Sequence, residues 1–182
     1  MSAEHPPLSS VELLTKEHSV GEFDCKKHES LNEWLKRFAL ASQNSESART
    51  YIVHRSGRVV GYYSLCPGSI QREEATGRVA KGQPAYPIGI ILLARLAVDH
   101  SEQGRGLGEA LLKDALLRAS QAADIVSARA VLVHAIDEDA KGFYRHFGFE
   151  ACPANDLHLM LLMKDLLLMK DLRSMLPQRG EK

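Results

Sequence analysis

The chain lacks an excess of either charge. Its 182 residues carry 23 Lys and Arg against 23 Asp and Glu, a formal net charge of zero. No global field draws it to nucleic acid, so any such contact must come from a local basic patch. Cysteine is scarce as well. Cys25, Cys66 and Cys152 are odd in number and form no CxxC pair, which argues against a disulfide framework and a zinc site and for a reducing compartment. No apolar run is long enough to span a bilayer, and the first residues carry no secretory pattern. The expectation is a cytoplasmic protein with no metal and no membrane contact, of a length that suits one domain with a substantial core.

Two nucleotide-binding signatures are missing too, and their absence narrows the reading of positions 92–112, LLARLAVDHSEQGRGLGEALL. An apolar, strand-like run ends at Val98. A polar segment and a glycine-rich turn, Gln103-Gly104-Arg105-Gly106-Leu107-Gly108, then lead into the helical pattern of Ala110, Leu111 and Leu112. Glycines let a ligand approach the main chain closely, and the first amides of a helix lack intrahelical partners and sit at the positive end of its dipole. Strand, glycine turn and helix together suit a phosphate or pyrophosphate. The GxxxxGK[ST] spacing is absent, so there is no Lys for a terminal phosphate and no hydroxyl for magnesium. GxGxxG also fails, because Glu109 stands where the third glycine belongs.

A second stretch, AIDEDAKGFYRHFGFE at 135–150, follows a strand-like run at Ala130 to Val133. It predicts a short helix from Glu138 to His146, stopped by Gly148 just past its end. Phe143, Phe147 and Phe149 read as core aromatics. Tyr144 has the same option, but its phenol hydroxyl leaves a chemical one open.

Elsewhere the pattern predicts a loose N-terminus over residues 1–7 and a first strand at Val11 to Leu14. A helix follows from Ser30 to Ala41, with Leu31, Trp34, Leu35 and Phe38 at helical spacing and Ser30 and Glu33 forming a capping box. Strand-like runs at Thr50 to His54 and Val59 to Leu65 meet at a Ser56-Gly57 turn. The second resumes through Ile70 after a break at Pro67-Gly68. Residues 71–87 read as a long polar loop, which in a compact domain is functional or mobile. A helix over Gly108 to Ala122, a strand over Val126 to Ala135 and a last strand at His158 to Met163 complete a mixed α/β sheet flanked by helices. Positions 161–166 and 167–172 both read LLMKDL. The period is even, so in a strand both copies present the same face; the default is a strand extension or short tail, and a changed dimer edge or partner groove is the alternative.

LARLAVD, QGRGLG and FYRHFGF resemble the GNAT family of acyl-CoA-dependent N-acetyltransferases. The likeness runs from about Val11 to Leu166, and it implies the GNAT acyl-CoA N-acyltransferase fold as one domain over residues 8–166, with 167–182 as a tail. FDCKKHESLNEWL, RTYIVHRSGRVVGYYSL and the closing HLMLLMKDL are more specifically similar to the GNAT toxins of type II toxin–antitoxin modules. The resemblance implies acetyl-CoA as cofactor, held by Leu96, Ala97 and Val98 beside the pantetheine and by Gln103, Gly104, Arg105, Gly106, Leu107 and Gly108 at the pyrophosphate. Tyr144 is implied as the residue that meets the cofactor sulfur and protonates the departing thiolate. A ribbon-helix-helix antitoxin, DNA contacts made only through that antitoxin complex, and homodimerisation follow from the family in the same way.

Acetyl transfer needs an amine to attack a thioester carbonyl while a thiolate leaves. Main-chain N–H groups beside Leu96 to Val98 are placed to polarise that carbonyl, and a tyrosine acid is worth typically 10²–10⁴-fold. No general base stands out: Glu102, Glu138, Asp139, His100, His134 and His146 are all available, and spacing selects none. An α-amine titrates near ~8 and is partly neutral already, whereas a lysine amine near ~10.4 needs more help. That favours an α-amine acceptor such as aminoacyl-tRNA, which requires a basic surface; Lys26, Lys27, Lys36, Arg37, Arg78 and Lys81 are the candidates. A small amine or protein N-terminus as acceptor, and a module that binds acyl-CoA or a partner without turnover, are the competing readings.

Overall fold

The computed structural model describes residues 5–166 together with Leu168 and Met169. Most of the expected loose N-terminus and most of the second LLMKDL copy lie outside these residues. Within them the chain forms β1 (Glu12–Leu13), α1 (Glu29–Arg37), α2 (Ala39–Asn44), β2 (Arg49–Arg55), β3 (Arg58–Ile70), α3 (Gly77–Ala80) and β4 (Ile88–Val98). A 3-10 turn (His100–Glu102), α4 (Leu107–Val126), β5 (Ala130–His134), α5 (Glu138–His146), β6 (Glu150–Ala151), β7 (His158–Leu162) and α6 (Met163–Leu166) follow. The strands make one seven-stranded sheet in the order β1-β2-β3-β4-β5-β7-β6. Strands β4 and β5 are parallel, whereas β1-β2, β2-β3, β5-β7 and β6-β7 are antiparallel. The sheet is mixed and the class is α/β, as expected.

The chain divides into two compact units: residues up to Cys66 with Ala94–Ala115, and Pro67–Leu93 with the residues from Leu116 onward. The first has a core of Leu14, Phe23, Leu35, Ile52, Val59, Tyr62 and Ala97. Tyr62 is fully buried and its hydroxyl donates to the Leu31 carbonyl at 2.8 Å. Trp34 stacks on it, and the Arg95 guanidinium lies 5.2 Å from the Trp34 ring centre. Glu12 of β1 ties the N-terminal strand down. Its Oε1 lies 2.7 Å from His18 Nε2 and 3.1 Å from His54 Nε2. Each imidazole Nδ1 accepts a backbone N–H, from Thr15 and Gly57, so each neutral ring carries its proton on Nε2. Although these three side chains place ligand atoms within 4.8 Å of one another, both nitrogens facing the carboxylate are therefore donors, an arrangement of hydrogen bonds and not of metal-ligand lone pairs. Pro6, inside the segment expected to be loose, has its carbonyl bound by the Arg55 guanidinium.

The second unit is built on Ile70, Val79, Ile88, Ile90, Ala130, Leu132, Met160 and Leu162. Arg129 fixes its edge: Nε donates to the Val79 carbonyl and Nη2 to those of Arg78 and Lys81. These are carbonyls a short helix leaves unpaired at its end.

Several boundaries differ from the sequence pattern. The Ser56-Gly57 hairpin forms as expected, with both residues at positive φ (48° and 86°) and Arg55 opposite Arg58. The capping box does not. Helix α1 starts at Glu29, its N-cap His28 makes no side-chain cap, and Glu33 instead pairs with Arg37 at 3.1 Å. The helix also breaks at Phe38, which leaves the aromatic 53 % exposed. Strand β3 runs through Pro67-Gly68 without a break. Residues 71–87 are not bare loop, because Thr76 caps α3 and Ala75 and Val79 are buried. Helix α4 extends to Val126, so β5 starts only at Ala130 and not at Val126; Val126 is 80 % exposed. The first LLMKDL copy is divided between β7 and α6, so its residues do not share one strand face.

Gly61 lets β3 approach α4. A Cβ there would lie 2.9 Å from Leu111 Cδ1 and 3.2 Å from Leu107 Cδ2, both on buried leucines. Gly61→Val should therefore lower stability by about 1–3 kcal/mol through overpacking, read by urea denaturation.

Candidate active site

The glycine-rich loop is assembled inside the first unit around Asp99, the residue after β4. Asp99 is fully buried. Its Oδ1 accepts from the Ser101 amide at 3.0 Å and the Ser101 hydroxyl at 2.7 Å, and its Oδ2 from the Asp24 amide at 2.9 Å, with Arg58 Nη2 at 3.6 Å. Burial pushes the carboxyl pKa up, but these donors and the guanidinium outweigh it and hold it below the ordinary value. The main chain is fixed at the same point: Asp99 N–H donates to Val60 and His100 N–H to Asp24.

Glu102 is the second anchor. It is 5 % exposed and takes Arg55 in two hydrogen bonds, at 2.7 and 3.2 Å. The Arg55 hydrogen bond lowers its pKa against the opposing effect of burial. A carboxylate so committed is a weak proton acceptor, which removes Glu102 as a base. Gln103 is the third. Its Nε2 donates to the carbonyls of Val98 (2.9 Å) and Cys25 (3.2 Å), so its side chain pins the loop.

With the loop held at these points, Gly104 and Gly106 take φ of 75° and 84°, and a Cβ on either would meet nothing within 4 Å. The surface over them is open main chain at the head of the twenty-residue α4. Those features fit the pyrophosphate of acetyl-CoA: close backbone approach, unpaired helix amides and the positive dipole end. Arg105 is exposed, 3.8 Å from Glu102, and adds a cation beside the turn. Leu107 is buried and Gly108 packs near Val98, so both set where the helix begins. The paired register of β4 with β5 runs from Ile90↔Ala130 to Leu93↔Val133. Leu96, Ala97 and Val98 lie beyond it, leaving strand-edge groups for the amides of a pantetheine chain. Ala97 is buried in the core, and Leu96 and Val98 are half-buried.

Tyr144 belongs to the second unit. Asp137 caps α5 by accepting from Ala140 N–H at 2.8 Å, and the Tyr144 carbonyl accepts from the amides of Phe147 and Phe149, which turn the chain at Gly148 (φ 91°). Its ring lies 5.3 Å from that of Phe143 and 5.5 Å from that of Phe149. Burial raises the phenol pKa well above its ordinary value, so the hydroxyl keeps its proton at neutral pH. Phe149 is core as expected; Phe143 and Phe147 are only half-buried.

The six basic candidates are all exposed, but not all are free cations. Lys26 pairs with Asp24 at 3.0 Å and Arg37 with Glu33. Arg78 is engaged by Asp165 at 2.6 and 2.9 Å and by Glu150 at 3.3 Å, the first of these driving its pKa up. These pairs partly neutralise its charge. Lys26, Lys27, Lys36 and Arg37 lie together in the first unit and Arg78 and Lys81 in the second. The residue missed in the sequence was Asp99. The signal was there: Asp99-x-x-Glu102 is a capping pattern just after a strand.

Comparison with known proteins shows the family and the fold. Residues 46–151 match the acetyltransferase (GNAT) domain family. The chain is 52 % identical over 136 residues to the tRNA-acetylating toxin of Mycobacterium tuberculosis (strain ATCC 25618 / H37Rv), covering 75 % of this chain and 81 % of that protein. Among solved structures, AtaT complexed with acetyl-methionyl-tRNAfMet superimposes with a TM-score of 0.82 at 30 % identity, over 89 % of this chain and 98 % of that one. A Tyr-to-Phe mutant of the AtaT toxin bound to the C-terminus of the antitoxin AtaR and acetyl-CoA matches with a TM-score of 0.76 at 28 % identity, over 91 % and 99 %.

Removing the Asp99 charge tests the scaffold. Asp99→Asn places amide protons against buried donors, so stability should fall by about 1–3 kcal/mol, and affinity for coenzyme A by about tenfold on titration calorimetry. The pH dependence has a definite sign. A depressed carboxyl contributes stability above the unfolded value of about 3.9 and loses it as pH falls through the lower folded value. The Asn variant should lack that part of the acid-unfolding slope.

Proposed function

The chain belongs to the GNAT acetyltransferase family, and from that premise we propose that it is a toxin acetylating the α-amine of aminoacyl-tRNA, which blocks translation. It is an N-acetyltransferase that uses acetyl-CoA. The observation that carries the finer reading is the 52 % identity over 136 residues to a tRNA-acetylating toxin.

Acetyl-CoA supplies the activated acetyl thioester. The turn from Gln103 to Gly108 and the first amides of α4 hold its pyrophosphate. Main-chain groups of Leu96, Ala97 and Val98 orient the pantetheine, and their N–H groups polarise the carbonyl under attack. Tyr144 Oη, kept protonated by burial, gives its proton to the departing sulfur. No side chain is assigned as base: Glu102 is committed to Arg55, and an α-amine near pKa ~8 is partly neutral without help. Lys26, Lys27, Lys36, Arg37, Arg78 and Lys81 form the basic contacts to the tRNA phosphates, with Lys26, Arg37 and Arg78 partly neutralised by carboxylate partners.

We read residues 8–166 as one catalytic domain acting in the cytoplasm as a homodimer. Among the described residues no helix is long and apolar enough to cross a membrane. The partner is a ribbon-helix-helix antitoxin, and a net charge of zero leaves the DNA contacts of the complex to that partner.

Expression of the chain alone should arrest growth and leave acetylated aminoacyl-tRNA in the cell. Tyr144→Phe should relieve the arrest and cut transfer about 10²–10⁴-fold while coenzyme A still binds. Normal growth and unmodified tRNA beside intact acetyl-CoA binding would instead point to a small amine or a protein N-terminus.

A further inference from the structure

Three residues of the second unit that carry metal-ligating atoms stand in one row across neighbouring strands. His134, the last residue of β5, is the cross-strand partner of His158, the first of β7. The antiparallel register of β6 and β7, Glu150↔Met160 and Ala151↔Leu159, continues so as to set Cys152 opposite His158. The Cys152 N–H accordingly donates to the His158 carbonyl at 2.7 Å. Residues directly opposite on antiparallel strands share a face, with Cβ atoms about 4.5–5.5 Å apart. All three line one pocket of about 320 Å³, and Glu74, which precedes α3, lines it too. The two imidazoles are stacked, with ring centroids 3.9 Å apart. Burial first and the Glu74 charge second push the Cys152 thiol pKa up to about 11, so that carboxylate is close enough to act on the sulfur.

We propose that His134, His158 and Cys152, with Glu74, bind a single divalent cation of the zinc class. Two imidazoles, a thiolate and a carboxylate are the ligands that zinc takes in four-coordinate sites. A set containing sulfur and nitrogen also selects such a cation over magnesium or calcium, which prefer oxygen alone. Along the chain the cysteines argue against zinc because none pairs as CxxC, but ligands supplied by adjacent strands need no such spacing. Among the described residues, the trio whose ligand atoms already lie within 4.8 Å of one another is Glu12, His18 and His54, and there the ring nitrogens facing the carboxylate are donors. In the row across β5 and β7 the ion itself draws the side chains together, by rotation within the open pocket. The thiol proton leaves to solvent as the sulfur–metal bond forms. Both residues of the short strand β6 are exposed. A bound ion ties the chain just after them to β7, β5 and the segment before α3, and stabilises the folded state by mass action.

The test titrates the metal-free full chain, made without a histidine tag, with Co2+ at neutral pH. A thiolate-to-cobalt charge-transfer band should appear in the near ultraviolet, saturate at a single equivalent and be displaced by Zn2+. Cys152→Ser should abolish that band. His158→Gln and His134→Gln should each weaken binding by more than the about 10–100-fold that loss of an outer-shell partner costs. Zn2+ at about a hundred times its dissociation constant should shift the wild-type folding equilibrium about a hundredfold on urea denaturation and leave that of Cys152→Ser unmoved. An unchanged far-ultraviolet circular dichroism spectrum certifies each variant as folded. His134 is exposed, so His134→Gln decides the matter should the buried Cys152 not tolerate replacement. The proposal is overturned by a wild type without the thiolate band, by a band that survives in Cys152→Ser, or by unchanged affinity in folded His134→Gln. A signal that Glu12→Gln removes overturns it as well, since the ion would then sit at the other histidine pair.

Discussion

The buried carboxylate of Asp99 is the constraint on which the glycine-rich loop depends. A charge at zero exposure is tolerated because three protein donors and a guanidinium surround it. Those donors come from residues far apart in the chain, Asp24 on one side and Ser101 on the other. The same group that ends β4 therefore also ties it to the segment before α1. Glu102 and Gln103 extend the arrangement to Arg55, Cys25 and Val98. The glycines can then take positive φ without a side chain to steady them, because everything just before the turn is already pinned. An anion site made of main-chain amides works only if those amides are held before the ligand arrives.

The second unit solves a different problem with the same means. A short helix, α3, has little stability of its own. Arg129 binds two of its carbonyls and that of its C-cap Lys81, and Arg78, from the same helix, reaches Glu150 and Asp165. A segment that reads as a polar loop thereby becomes a fixed wall. Ile70, which ends β3, and Glu74 line a pocket of about 320 Å³ whose other side is the His134–His158 pair. Tyr144 is fixed by aromatic packing and by the turn at Gly148, and its burial disfavours the phenolate.

Much of this was legible along the chain, for reasons that are local. The strand-turn-helix around QGRGLG, the Ser56-Gly57 hairpin and the α5 helix with its glycine stop rest on periodicity and on backbone angles that only certain residues take readily. The mixed sheet followed from the alternation of these elements, and the family followed from the motifs they carry. Misreadings arose where short-range signals compete. Ser30 and Glu33 have the right spacing for a capping box, yet Asn32 is drawn into hydrogen bonds with Asp24 and Glu29, and the helix starts at Glu29 instead. LLMKDL has an even period, yet its first copy is split between a strand and a helix.

The sequence by itself determined the local elements of the proposed site: the glycine turn, its following helix and the helix that carries Tyr144. Those depend on residue type and spacing over a few positions. Tertiary structure alone decided which charges remain available and where the pocket lies. Arg78 reads as an open cation until Asp165, 87 positions away, partly neutralises it. Glu102 reads as a possible base until Arg55 claims it. His134 and His158 are unremarkable 24 positions apart until antiparallel pairing of β5 with β7 stacks them at one strand end. Charge pairing and pocket shape depend on which distant residues the sheet brings together, and no local pattern encodes that distance.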